Sequence, residues 1–164
     1  MQHKENQTRF FIDAMLGNIA KKLRLFGYDS KYFSDIDDDE LIKIAKEENR
    51  IIVSRDENLA YKAQKLGINT IFITKNKELE QFSEILKHIE LDIFQISGDT
   101  ARCPKCNSIT ESIDKSSIKN KVPKRVYDTN ERFWNCKNCG KYYWEGTHIK
   151  NLKEFVGKIN ERLQ

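Results

Sequence analysis

The residues of this chain that can do chemistry are carboxylates near the front and thiols near the back. Asp13 directly follows the apolar run Phe10, Phe11, Ile12, and Asp56 closes the run Ile51, Ile52, Val53, Ser54, Arg55. Between them, four aspartates fill the five positions 35–39, with Glu40 next. Short apolar runs without alternation are the pattern of buried parallel strands. In open α/β sheets, functional groups collect at the carboxyl ends of such strands. Asp13, Asp38 and Asp56 are therefore expected at one sheet edge. Carboxylates gathered there repel one another unless a cation sits among them. Mg²⁺ or Mn²⁺ takes one or two carboxylates, keeps several waters and accepts phosphate oxygens. Such an ion lowers the pKa of bound water and offsets charge building on a phosphodiester under attack. Taken singly, an aspartate at a strand end is more often a turn or helix cap, and 35–40 reads equally as a solvated loop.

The thiols form two C-x2-C pairs, Cys103-Pro-Lys-Cys106 and Cys136-Lys-Asn-Cys139, separated by 29 residues. Thiolates so spaced hold one ion tetrahedrally, and Zn²⁺ is the usual occupant. Asn107 and Gly140 follow the pairs, where a left-handed backbone turns amides toward sulfur. Four thiolates leave no open coordination position, so this zinc is expected to be structural. An iron–sulfur cluster also uses four cysteines. A redox C-x-x-C belongs beside a thioredoxin-like βαβ pattern, which neither pair has.

These groups need elements to position them. Leu16, Ile19, Ala20, Leu23 and Phe26 recur at helical spacing and Gly27 ends that helix. A strand is expected at 29–33, and a helix from the acidic run with Asp37 or Asp38 as its cap. Strand 50–54, helix 59–66, strand 70–74 and helix 77–89 follow, with a further strand possible at 91–96. The alternation implies an α/β domain on a mostly parallel sheet. The expected division is a disordered tail over 1–8, the α/β domain over 9–98, and a zinc ribbon with a C-terminal helix over 99–164, the helix itself at 153–163. No run of about 18 apolar residues is present, so no membrane span is expected. Without an apolar stretch at the front or an export signal, a reducing cytoplasm is the expected setting.

Net charge is +4, compatible with a polyanionic partner, and its distribution is uneven. Residues 115–125 carry five basic side chains and no acid. Lys119, Lys121, Lys124, Arg125, Arg132, Lys137 and Lys141 alternate with Tyr127, Phe133, Trp134, Tyr142, Tyr143 and Trp144. Cations for phosphates and rings for unstacked bases suit RNA, although Phe133 and Trp144 read better as core of the ribbon.

The segments FFIDAMLGNIAKKLRLFGYDS, DDDELIKIAKEENRIIVSRD, RCPKCN and FWNCKNCGKYYWEGTH together resemble the Mut-seven C-terminal RNase family, over about 10–152. The resemblance implies a PIN-like parallel-sheet domain with a C-terminal zinc ribbon, and metal-dependent (endo)ribonuclease activity on RNA, with single-stranded or loop regions as substrate. It places Asp13 at the first-strand aspartate, Asp38 at the acidic helix start, Asp56 in the S-R-D motif, and Cys103, Cys106, Cys136 and Cys139 at the zinc ligands. Asp13 and Asp56 would hold Mg²⁺ or Mn²⁺, and Asp38 would complete the shell or orient water. Lys22, Arg24 and Arg55, with Lys124 and Arg125 of the ribbon, are the expected phosphate contacts. PIN nucleases commonly carry a fourth acid where this chain has Thr74-Lys75-Asn76. That departure motivates the alternative of a catalytically weak or inactive RNA-binding adaptor.

Overall fold

The computed structural model describes residues 8–90 and 96–163. The expected tail at 1–8, save Thr8, and the possible strand at 91–96, save Ile96, lie outside the described residues. Strand β1 (Arg9–Ile12) is buried on three of its four residues and sits inside a parallel sheet. It pairs with β2 (Asp29–Tyr32) on one side and β3 (Ile51–Ser54) on the other, and β4 (Thr70–Phe72) completes the order β2-β1-β3-β4. A strand buried on both faces must be apolar throughout. Phe10, Phe11, Ile12, Ile52 and Val53 are fully buried.

Helices α1 (Gly17–Leu25), α2 (Asp38–Glu47), α3 (Glu57–Lys65) and α4 (Glu78–His88) connect and follow the strands. Phe10 and Ile12 face a core shared with α1 and α4, while Phe11 and Ile52 face a second core built by α2 and α3. The chain leaves β1 by one face and reaches β3 by the other, so the strand order reverses between β1 and β3. That switch opens a crevice at their carboxyl ends. Gly27, just past α1, has φ +93°, and a Cβ there would lie 2.8 Å from the Thr100 carbonyl oxygen. Only glycine fits both the left-handed turn and that close approach.

The cysteine-rich part forms an antiparallel sheet of β5 (Glu111–Ile113), β6 (Phe133–Asn135) and β7 (Tyr142–Trp144), with a short helix α5 (Lys124–Thr129) between β5 and β6. The final helix α6 (Thr147–Leu163) begins earlier than the sequence reading placed it. Its stripe of Leu152, Val156 and Ile159 is buried in the α1–α4 core, and Phe155 meets Phe82 edge-to-face at 5.4 Å. Although α6 follows the ribbon in sequence, its apolar face completes the α/β layer. No described helix is long and apolar enough to cross a membrane.

Candidate functional site

Asp13 stands one residue beyond β1, and its amide donates to the Val53 carbonyl of β3 at 2.9 Å. Its Oδ1 accepts from the Ala14 amide at 2.7 Å and its Oδ2 from the Ser54 hydroxyl at 2.7 Å. Ser54 Oγ in turn accepts from the Asp56 amide at 2.9 Å. Ser54, fully buried at the end of β3, thus fixes both aspartates at the switch point. Asp56 caps α3 through Oδ1, which accepts from Asn58 and Leu59. The cap reading of Asp13 and Asp56 is therefore real, and it is compatible with ligation because Asp56 spends only one described oxygen on it. Tyr32 supports the loop after Asp13, donating its hydroxyl to the Ala14 carbonyl at 3.0 Å. No periodicity in the sequence announces that contact.

Asp38 opens α2, with Asp37 at the cap position making no side-chain cap hydrogen bond. Partial desolvation, then the charges of Asp56, Asp13 and Asp37, push the Asp38 carboxyl up, with Lys62 opposing. The three aspartates thus share one electrostatic environment. They are not a closed cage: among the described residues, only the cysteines form a group of three or more acid, His or Cys ligand atoms all within 4.8 Å of one another. Open spacing suits an ion that keeps several waters. A raised carboxyl disfavours the fold at pH above its folded pKa, and that cost vanishes below the ordinary carboxylate range. In EDTA, the thermal midpoint of Asp38→Asn is expected to gain on that of the wild-type chain as pH rises from below the carboxylate range to neutrality. Scanning calorimetry across pH checks this, the two chains converging as the buffer is acidified.

The expected phosphate contacts separate into two groups. Arg55 stays at the edge, donating to Asn76 Oδ1 at 2.6 Å. Lys22 is paired with Glu78 at 2.6 Å and lies over the Phe155 ring. Arg24 is a correction. It is buried, and its guanidinium donates to the carbonyls of Ser30 (2.8 Å), Pro104 (2.9 Å) and Lys105 (3.4 Å). A guanidinium consumed by backbone oxygens offers nothing to a phosphate.

That use of Arg24 reveals how the ribbon docks. β2 is an edge strand, and an edge leaves backbone groups to be covered. Arg24 takes the Ser30 carbonyl, and Asn107 Oδ1 takes the Ser30 amide at 2.9 Å. Asn107 Nδ2 also donates to Asp29 at 2.7 Å, and Asp29 pairs with the buried Arg50 at 2.7 Å. Burial pushes the Asp29 carboxyl up, but hydrogen bonds from Arg50 and Asn107 hold it below its usual value. The first cysteine pair therefore sits at the amino end of β2, opposite the aspartate edge. Arg24→Ala is expected to cost about 3 kcal/mol, since it strands buried carbonyls. Urea denaturation measures the loss, with bound zinc little changed.

The four sulfurs converge. Cys103 and Cys139 sulfurs are 3.5 Å apart and those of Cys106 and Cys136 3.4 Å, close to the roughly 3.8 Å edge of a tetrahedron with 2.3 Å Zn–S bonds. Asn107 (φ +69°) and Gly140 (φ +75°) take the left-handed geometry expected of knuckles. Their amides donate to the Cys103 and Cys136 carbonyls, each at 2.8 Å. The Tyr143 hydroxyl donates to Cys103 sulfur at 2.9 Å. Burial pushes the Cys136 thiol up to about 12. Burial acts the same way on Cys106, but hydrogen bonds from Ser108 and Asn138 overcome it and bring that thiol down to about 5. The donor set and spacing fit one zinc ion.

The basic and aromatic residues of the ribbon partly satisfy one another. Trp134 is buried with its indole N–H on Asp99 at 3.1 Å, and Phe133 is buried beneath Tyr127, so neither ring is open to a base. Arg132 and Lys137 pair with Asp99 and Glu111. Lys124 pairs with Asp128 yet is 91% exposed, and Arg125 beside it is exposed. Exposed pairs are worth about 0–1 kcal/mol and yield readily to a polyanion.

A four-stranded parallel sheet flanked by helices, with a four-cysteine zinc-ribbon site appended, defines a PIN-like α/β domain with a zinc ribbon. The chain belongs to the family described as the Mut7-C RNAse domain, whose model matches residues 8–156. An RNase domain makes RNA the substrate class. No curated protein and no solved structure gives a match.

Proposed function

We propose that this chain is a divalent-metal-dependent endoribonuclease that cuts unpaired RNA at the carboxyl edge of the parallel sheet. The observation carrying this reading is the Asp13–Ser54–Asp56 linkage at the switch point, with Asp38 electrostatically coupled to both aspartates. When bound, Mg²⁺ or Mn²⁺ would supply an activated water and charge neutralisation. Asp13, oriented by the Ala14 amide and the Ser54 hydroxyl, and Asp56, oriented by the Asn58 and Leu59 amides, would hold the ion without reorganising. Asp38, more proton-loving than an ordinary aspartate, would accept the hydrogen bond of an attacking water. Arg55 would meet the phosphate, and Lys124 and Arg125 would contact the strand further along. The zinc ribbon would stiffen the β2 edge, as one structural unit over 99–146 with α6 serving the α/β part. Thiols committed to metal suit a reducing cytoplasm.

One observation favours the adaptor alternative. The loop after β4 carries Asn76, hydrogen-bonded to Arg55, and the acids beside it are engaged, Glu78 with Lys22 and Glu84 with the Thr74 hydroxyl. Incubating labelled single-stranded and base-paired RNA with Mn²⁺, Mg²⁺ or EDTA separates the readings. Metal-dependent cutting of the single-stranded RNA is expected. Salt-sensitive binding without any cutting would favour the adaptor.

A further inference from the structure

Beside the aspartates, on the α1–α4 face, lies a recess of about 350 Å³ whose lining includes Met15, Asn18, Arg55, Asn76, Glu78 and Gln81. We propose that this recess receives one unstacked nucleobase of the RNA strand, next to the phosphate that a divalent ion on Asp13 and Asp56 would bind, and so sets a base preference at the cut. The inference rests on the nuclease reading.

Met15 follows Asp13 by two residues, Arg55 immediately precedes Asp56, and Asn76 lies in the loop after β4. A nucleotide whose phosphate meets the aspartates therefore has its neighbouring base at the mouth of the recess. The larger recess, about 380 Å³, opens instead at the opposite edge around Thr8, Asn49 and Asn69.

Of the two charged side chains in the lining of the recess beside the aspartates, Arg55 is hydrogen-bonded to Asn76 and Glu78 is paired with Lys22, so a second phosphate would meet one engaged guanidinium beside a carboxylate, and the recess suits an uncharged ligand better. What remains is chemistry for a flat polar ring. Met15, 72% exposed, offers a thioether for its face. Arg55 offers a guanidinium plane, and the carboxamides of Asn18 and Asn76 offer donors and acceptors for its edge. Asn18 makes no side-chain hydrogen bond to another described residue, and Asn76 spends only its oxygen, on Arg55.

The walls are also set in advance. Gln81, buried on α4, donates to the Lys75 carbonyl at 2.9 Å and fixes the loop that carries Asn76. Lys22 holds Glu78. A pocket ordered before binding loses less freedom when occupied.

The test is sequencing of the ends produced from a random single-stranded RNA pool, by the full chain and by Asn18→Ala/Asn76→Ala. The expected result is one base enriched about tenfold or more at a fixed position beside the cut, falling toward unity in the double variant. Both side chains are exposed, so the thermal midpoint should be unchanged. Uniform ends from the wild-type chain, or a preference that survives in the variant, would overturn the proposal. If the chain cuts no RNA, the nuclease reading fails, and the recess is judged by NMR titration with the four nucleoside monophosphates. Shifts confined to the Asn18 and Asn76 side-chain amides support the base site; their absence for all four overturns it.

Discussion

Asp13→Asn and Asp56→Asn are each expected to lower RNA cleavage by about a thousandfold, with the fold intact. Each aspartate has two duties, capping and ligation, and asparagine keeps only the first. Asparagine is as good a helix cap as aspartate, so Asp56→Asn keeps an oxygen for the Asn58 and Leu59 amides. In Asp13→Asn the amide oxygen still accepts from Ala14, and only the Ser54 hydroxyl must find another acceptor. What both variants lose is negative charge at the switch point. Single-turnover cleavage beside a thermal melt measures both duties. A melt that holds while cleavage collapses assigns ligation to these residues. Cleavage that survives in both variants would move the active site elsewhere.

Cys136→Ser is expected to abolish stoichiometric zinc and to lower the thermal midpoint by about 10 °C or more. Cys136 is fully buried between β6 and β7, with its sulfur 3.4 Å from that of Cys106. Structural zinc contributes of order 10 kcal/mol to the folding of the small module it staples. In a chain of this size each kcal/mol moves the midpoint by about 2–4 °C. The effect should reach past the ribbon, because the first knuckle covers the β2 edge through Asn107 and supplies carbonyls to Arg24. Metal analysis and amide hydrogen exchange over β2 check it together. Full zinc content with unchanged exchange at Ser30 would contradict the docking account.

The α/β order was readable because its cause is local. Phe10, Phe11, Ile12 and Ile51, Ile52, Val53 are uninterrupted apolar runs, and strands buried on both faces require that. Asp13 and Asp56 were readable as edge residues for the same reason, each lying just past such a run. The cysteine site was readable from spacing alone, down to the left-handed Asn107 and Gly140. What stayed hidden is long-range. Arg24 looks solvated on a helix wheel, yet it is buried, because the ribbon arrives some 80 residues later to cover it. Trp134 looked available to a base until Asp99 folded over its indole. The final helix was visible at 153–163, but not its start at Thr147 or its packing on α4. The recess beside Arg55 left no sequence signal, since its walls come from three separate strand ends.

On the proposed reading, the Asp13–Asp56 edge holds a divalent ion that makes this chain a ribonuclease. Mn²⁺ titrated into zinc-loaded chain, with bound Mn²⁺ read by electron paramagnetic resonance and cutting of single-stranded RNA read on the same samples, tests it most directly. Occupancy and cleavage are expected to rise together, and both to be lost in Asp13→Asn/Asp56→Asn. Mn²⁺ bound equally by that variant, or RNA cut at the same rate in EDTA, would contradict that reading.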